Sequence, residues 1–203
     1  GRYNFLHSSW SPMNPFDDSI VSRMRKAGIY THIATDHFHY WEDGGSGYLT
    51  KFDSHEIVRG QQGDPWIGQV EPPFFPETLS KRCTTENWRH DWINRGFIKR
   101  EEDMPQYRTF ANALDFIDRN HGLDRWFLQI EAFDPHEPFF TVDSKYSEMY
   151  PDSYDGPQFD WPDYKEVTES PEAVEHCRRK YAALLTKCDE CIGHFIDFMD
   201  AND

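Results

Sequence analysis

The spacing of apolar residues changes period several times along the chain, and each change marks an element. Ile20, Val21 and Met24 fall on one helical face. Asn14 is placed to cap that helix, Pro15 to open it, Asp17 and Asp18 to occupy its first turn, Arg25 and Lys26 its end, and Gly28 to stop it. Ile29-Tyr30-Thr31-His32-Ile33-Ala34-Thr35 then reads as a buried strand rich in β-branched residues. A helix running straight into a strand is a unit of an α/β fold.

From Trp41 to about Phe75 no period survives, because Gly44-Gly45-Ser46-Gly47 and Gly60-Gln61-Gln62-Gly63-Asp64-Pro65 interrupt it. Rings at Tyr40, Trp41, Tyr48, Phe52 and Trp66 predict an ordered, functional loop there. An amphipathic helix is expected over Thr78–Glu101, and a second one where Tyr107, Phe110, Leu114 and Ile117 share a stripe. Trp126 to Phe133 is a near-continuous apolar run, which predicts a central strand buried on both faces. Asp134-Pro135-His136-Glu137-Pro138 ends it abruptly. Phe139–Ser170 is irregular. Ser170-Pro171-Glu172 opens a helix of about 28 residues striped by Tyr181, Leu184, Cys188, Cys191, Phe195 and Met199. No internal repeat or linker interrupts the chain, and the alternation predicts one α/β domain with a mostly parallel sheet flanked by helices.

Composition narrows the partners. The 203 residues suffice for a sizeable core, and 16 Phe, 10 Tyr and 7 Trp argue against disorder despite 28% charged residues. A net charge of -15 makes nucleic acid and anionic membrane surfaces poor partners. It does not exclude an anionic substrate, because clustered His and Arg can reverse the field inside a pocket. No apolar run approaches the roughly 20 residues of a membrane span. Four cysteines do not make a disulfide framework at this length. The opening Gly1-Arg2-Tyr3 and the closing Ala201-Asn202-Asp203 read as cuts from a longer protein.

Three segments carry candidate chemistry. His136 lies just past a strand's carboxyl end, where open α/β sheets bind ligands, between Pro135 and Pro138. An imidazole held there can donate to an oxyanion or protonate a leaving oxygen; the alternative is a turn histidine that only bonds the backbone. Arg59, Gln62 and Trp66 suit a sugar or aromatic group, or else belong to a packed structural loop. Cys188-Asp189-Glu190-Cys191 has redox or zinc spacing, but it lies mid-helix on an apolar stripe with only His194 nearby. Buried, inert thiols are the expectation.

An apolar strand followed by Asp134-Pro135-His136-Glu137-Pro138 resembles the sulfatase family of the alkaline phosphatase superfamily. Gly28-Ile29-Tyr30-Thr31 resembles the start of that family's Gly-Tyr-x-Thr strand, and Asp36-His37-Phe38-His39 its closing Lys-x-His pair. Tyr181-x-Ala183 through Cys188-Asp189-Glu190-x-Ile192-Gly193 is similar to its helix before the last metal-binding strand, and Gly1-Arg2-Tyr3 to a stretch soon after its nucleophile. The resemblance implies hydrolysis of a sulfate ester by a hydrated formylglycine with a divalent cation, usually calcium. It also implies that His136 contacts the sulfate. Strict counting puts Asp36 where the family has lysine. A one-residue slip puts His37 and His39 on the Lys and His positions, two apart on one strand face, and is preferred because Asp would repel a sulfate oxygen. Asp36 facing the pocket would imply a different substrate.

The departures are specific. No Cys or Ser here begins the Cys/Ser-x-Pro/Ala-x-Arg motif, and the family's metal-binding Asp pairs are absent. The nucleophile and metal ligands are therefore expected outside this chain, with no metal site within it. Two rival readings remain: a phosphonate or phosphate monoester hydrolase of the same superfamily, and a non-catalytic, aromatic-rich binding module.

Overall fold

The computed structural model describes residues 13, 16–41 and 45–202. Gly1-Arg2-Tyr3, Asn14, Pro15 and Gly44 lie outside them. The chain divides into two compact units, one of residues 1–58 and 109–132, the other of residues 59–108 and 133–203.

In the first unit, helix α1 (Ile20–Lys26) is capped by Ser19, whose hydroxyl accepts from the Ser22 N–H. The predicted start at residue 14 is therefore too early, because the Ser19 side chain supplies the orphan amide's partner five residues later. Gly28 adopts φ 75°, the left-handed turn that ends the helix. Strand β1 (Tyr30–Thr35) follows, then a 3-10 helix at Phe38–Trp41, and then strand β2 (Ser54–Ile57). After α2 (Glu86–Arg95) of the second unit, helix α3 (Pro105–Asn120) starts in the second unit and runs into the first from residue 109, and strand β3 (Trp126–Glu131) completes the first.

The sheet is parallel in the order β2-β1-β3, with Thr35 paired to both Ile57 and Glu131. Thus β1 is the central strand, and Thr31 to Thr35 are all buried. The expectation for β3 needs correction. It is half-buried throughout and has no second neighbour among the described residues. β2 was hidden because Ser54-His55-Glu56 carries no apolar alternation; backbone pairing to β1, rather than side-chain pattern, makes it a strand. Val21, Ile33, Leu49 and Phe52 form the core of this unit. Arg125 donates to the carbonyls of Ala27 and Gly28, tying the start of β3 to the turn before β1.

In the second unit, the expected helix over Thr78–Glu101 shrinks to α2. The Ser80 and Thr85 hydroxyls accept from the Arg82 and Trp88 amides, so each hydroxyl starts a separate turn. Helices α4 (Ser144–Glu148) and α5 (Pro171–Ala201) complete it. Ser170 caps α5 by accepting from the Ala173 N–H at 3.3 Å. Leu184, Cys188 and Cys191 are buried along α5 as the stripe predicts, whereas Tyr181 and Met199 are exposed. Trp88 and Trp161, both fully buried, pack with ring centroids 6.0 Å apart. Among the described residues no helix is long and apolar enough to cross a membrane.

Candidate active site

The turn after β3 is built around two buried carboxylates. Its backbone closes with the His136 N–H on the Phe133 carbonyl at 3.2 Å, and the His136 ring lies 4.3 Å from that of Phe133. Both X-Pro bonds, Asp134-Pro135 and Glu137-Pro138, are cis. His136 Nδ1 sits 2.7 Å from the Glu137 carbonyl oxygen. A carbonyl only accepts, so Nδ1 carries a proton. The Glu137 carboxylate lies 3.5 Å from Nδ1, and the imidazole side chain is 38% exposed. Nε2 is therefore the ring atom left for an outside ligand. It accepts when the ring is neutral and donates when the ring is an imidazolium. Glu137 also accepts from the Tyr164 hydroxyl, and that bond holds the Tyr164 phenol above its ordinary pKa.

The loop from Arg59 to Trp66 belongs to the same unit and is held from within. Asp64, wholly buried, accepts Arg59 Nε at 2.8 Å, Arg59 Nη2 at 2.6 Å and the Gly60 N–H at 2.8 Å. Asn94 Nδ2 donates to the Gln62 and Asp64 carbonyls. Gly60, at φ 109°, lets Trp66 lie against its backbone; a Cβ there would come within 2.8 Å of the indole. Gln62 also adopts a positive φ, 49°. The fork of Arg59 is thus committed to Asp64, which favours the structural alternative for that residue. Gln62 and Trp66 stay half-buried at the loop's surface. Gln61, which sequence reasoning did not single out, reaches from this loop to donate to Asp134.

In the first unit, His37 and His39 do not share a strand face. β1 stops at Thr35, whose hydroxyl accepts from the His37 N–H at 3.0 Å, and the chain turns into the 3-10 helix instead of continuing extended. The turn still brings the two rings within 5.2 Å of each other. Asp36 is fully buried, whereas the His37 side chain is 29% exposed, so His37 is the one a solute can reach. Glu131, at the end of β3, gathers this cluster. It lies 3.5 Å from His37 Nδ1 and accepts from the Tyr40 hydroxyl at 2.7 Å and from Gln129 Nε2 at 3.1 Å. Burial and the bond to Glu131 push the Tyr40 phenol far above its usual pKa. Sequence reasoning did not single out Glu131, although a lone acid inside an apolar strand run signals a partnered position.

Cys177, Cys188 and Cys191 are buried free thiols, and burial pushes them up to about 12, about 12 and about 11 respectively. Such thiols are poor nucleophiles, which agrees with the inert reading. Among the described residues no group of three or more His, Cys, Asp or Glu is arranged to hold a metal ion.

The parallel sheet β2-β1-β3 with its flanking helices defines the class, an alkaline-phosphatase-like fold. A solved structure of phosphonate monoester hydrolase from Agrobacterium radiobacter superposes with a TM-score of 0.61 at 13% identity, covering 95% of this chain and 45% of that one. The sequence model of the sulfatase family matches residues 1–203, and the chain belongs to that family. It spans less than half the length of the hydrolase it superposes on. No curated protein matches it in sequence.

Proposed function

We propose that this chain is an internal segment of a sulfuric ester hydrolase and that His136 meets the substrate's sulfate. The observation that carries the reading is the 2.7 Å contact of His136 Nδ1 with the Glu137 carbonyl, in a ring still 38% exposed. With Nδ1 so engaged, Nε2 is the ring atom left to face an anion, and an N–H there donates to a sulfate oxygen. His37, paired with Glu131, and His39 beside it are assigned to substrate handling through the cluster after β1. Gln62 and Trp66 are assigned to the organic part of the ester. Arg59 acts by holding their loop through Asp64, and Asp36 by packing beneath the cluster.

A divalent cation, calcium in the usual case, and a formylglycine would supply charge neutralisation and the nucleophile in the whole protein. The described residues of this chain do not fit a metal, and no residue of the chain begins the formylglycine motif.

In the full-length protein, His136→Ala should lower kcat/KM for an aryl sulfate by about 10²–10³-fold, the typical cost of losing one oxyanion donor, with the thermal melt retained. Unchanged turnover rejects the assignment. The superposition on a phosphonate monoester hydrolase motivates a second arm with the matching aryl phosphonate ester. Faster turnover of that ester would replace sulfate with phosphonate as the substrate class, and turnover of neither ester would leave the non-catalytic binding module.

A further inference from the structure

Asp134 opens the turn that carries His136, and its side chain is 3% exposed. Lys187, on the buried stripe of α5, has no exposed side chain at all and donates to Asp134 Oδ2 at 3.1 Å. Its Nζ also donates to Gln106 Oε1 at 2.9 Å, while Gln61 donates to the other carboxylate oxygen of Asp134. Two side chains from distant stretches of the chain, Gln61 and Lys187, thus converge on the first polar residue after Phe133, and Gln106 holds the lysine from a third.

Stability alone does not explain this arrangement. Lys187 lies among Leu184, Cys188 and Cys191, where a Met or Leu would fit the apolar stripe. Replacing a buried ion pair with apolar residues of similar volume is often neutral or stabilising. The lysine nonetheless keeps its charge. Burial works to lower its pKa, but the carboxylates of Asp134 and Glu101 outweigh burial and raise it. What the pair adds is direction, because an ammonium on one carboxylate oxygen and an amide on the other satisfy Asp134 in only one orientation.

The ring of His136 has its own local restraints, Phe133 and the Glu137 carbonyl. Those restraints move with the turn. The Asp134 network ties the turn to the first turn of α3, to the Arg59–Trp66 loop and to α5. We infer that Lys187, with Gln61 and Gln106, is a positioning residue that aims His136 by anchoring Asp134. This rests on the proposed role of His136.

The test is a double-mutant cycle in the full-length protein with 4-nitrophenyl sulfate, using Lys187→Met, His136→Ala and both together. Lys187→Met should lower kcat on the order of 10²-fold with KM little changed, because a group displaced by about 1 Å loses that much. In the His136→Ala background the same substitution should cost less than about threefold, since residues acting through one another are not additive. Additive losses in the double variant overturn the inference, as does a Lys187→Met protein whose kcat is intact while its melting temperature falls. If Lys187→Met fails to fold, Gln61→Leu removes one neutral donor from Asp134 and leaves the ion pair, and it is carried through the same cycle with the same criteria. Full activity in His136→Ala alone would defeat the sulfate-binding reading and this inference with it. A crippled His136→Ala combined with additive losses would defeat the inference only.

Discussion

Removing the guanidinium of Arg59 separates a structural role for it from substrate recognition. Asp64 has no exposed side-chain surface and accepts from Arg59 Nε, Arg59 Nη2 and the Gly60 N–H. In Arg59→Ala the carboxylate loses both guanidinium donors. Breaking a fully buried pair by deleting one partner costs about 3–5 kcal/mol. The Arg59 side chain is 37% exposed, so water enters the vacated space and screens the carboxylate, reducing the cost to roughly 2–3 kcal/mol. For a domain of about 200 residues each kcal/mol moves the melting temperature by about 2–4 °C, so the expected fall is about 4–12 °C. Arg59→Lys should recover little of it, because an ammonium cannot make the two-pronged bond to Asp64. The assay is calorimetric melting beside steady-state kinetics on an aryl sulfate. A melting temperature within about 1 °C of wild type together with a KM raised tenfold or more would refute the loop-holding argument and return Arg59 to the substrate.

Two further predictions concern titration and reactivity. Burial, reinforced by Asp160 and opposed by Arg95, pushes Asp91 from 3.8 up to about 7. Its protonated form is thus favoured by folding, so the stability it contributes is full below about pH 4 and is lost as pH rises through about 7. Asp91→Asn should flatten that part of the urea midpoint against pH, and an unchanged slope would dismiss the assignment. Among the four thiols only Cys83 is exposed. Native protein should therefore take up one equivalent of iodoacetamide quickly and three more only on unfolding; a second fast equivalent would contradict the buried positions of the others.

Local signals along the chain were enough for the helix–strand alternation. Gly28 ending α1, the β-branched run of β1, the apolar run of β3 and the Ser170-Pro171 start of α5 are decided by residues within a few positions of one another. The turn containing His136 was legible for the same reason, because its prolines and its place after a strand are sequence properties. Hydroxyl caps were the local signals misjudged, at Ser19, Ser80 and Thr85, since each could equally sit inside a helix pattern.

Tertiary structure decided everything that depends on partners far away in the chain. β2 exists because β1 offers it a ladder, and β1 rather than β3 is central because it pairs on both edges. His37 and His39 meet through a 3-10 turn that period-2 reasoning could not foresee. Arg59 is engaged by a residue five positions on, but Asp134 waits on Gln61 and Lys187, 73 and 53 positions away. A charge in an apolar stripe looks like an error until folding brings its counter-charge alongside, because only burial makes such a pair obligatory.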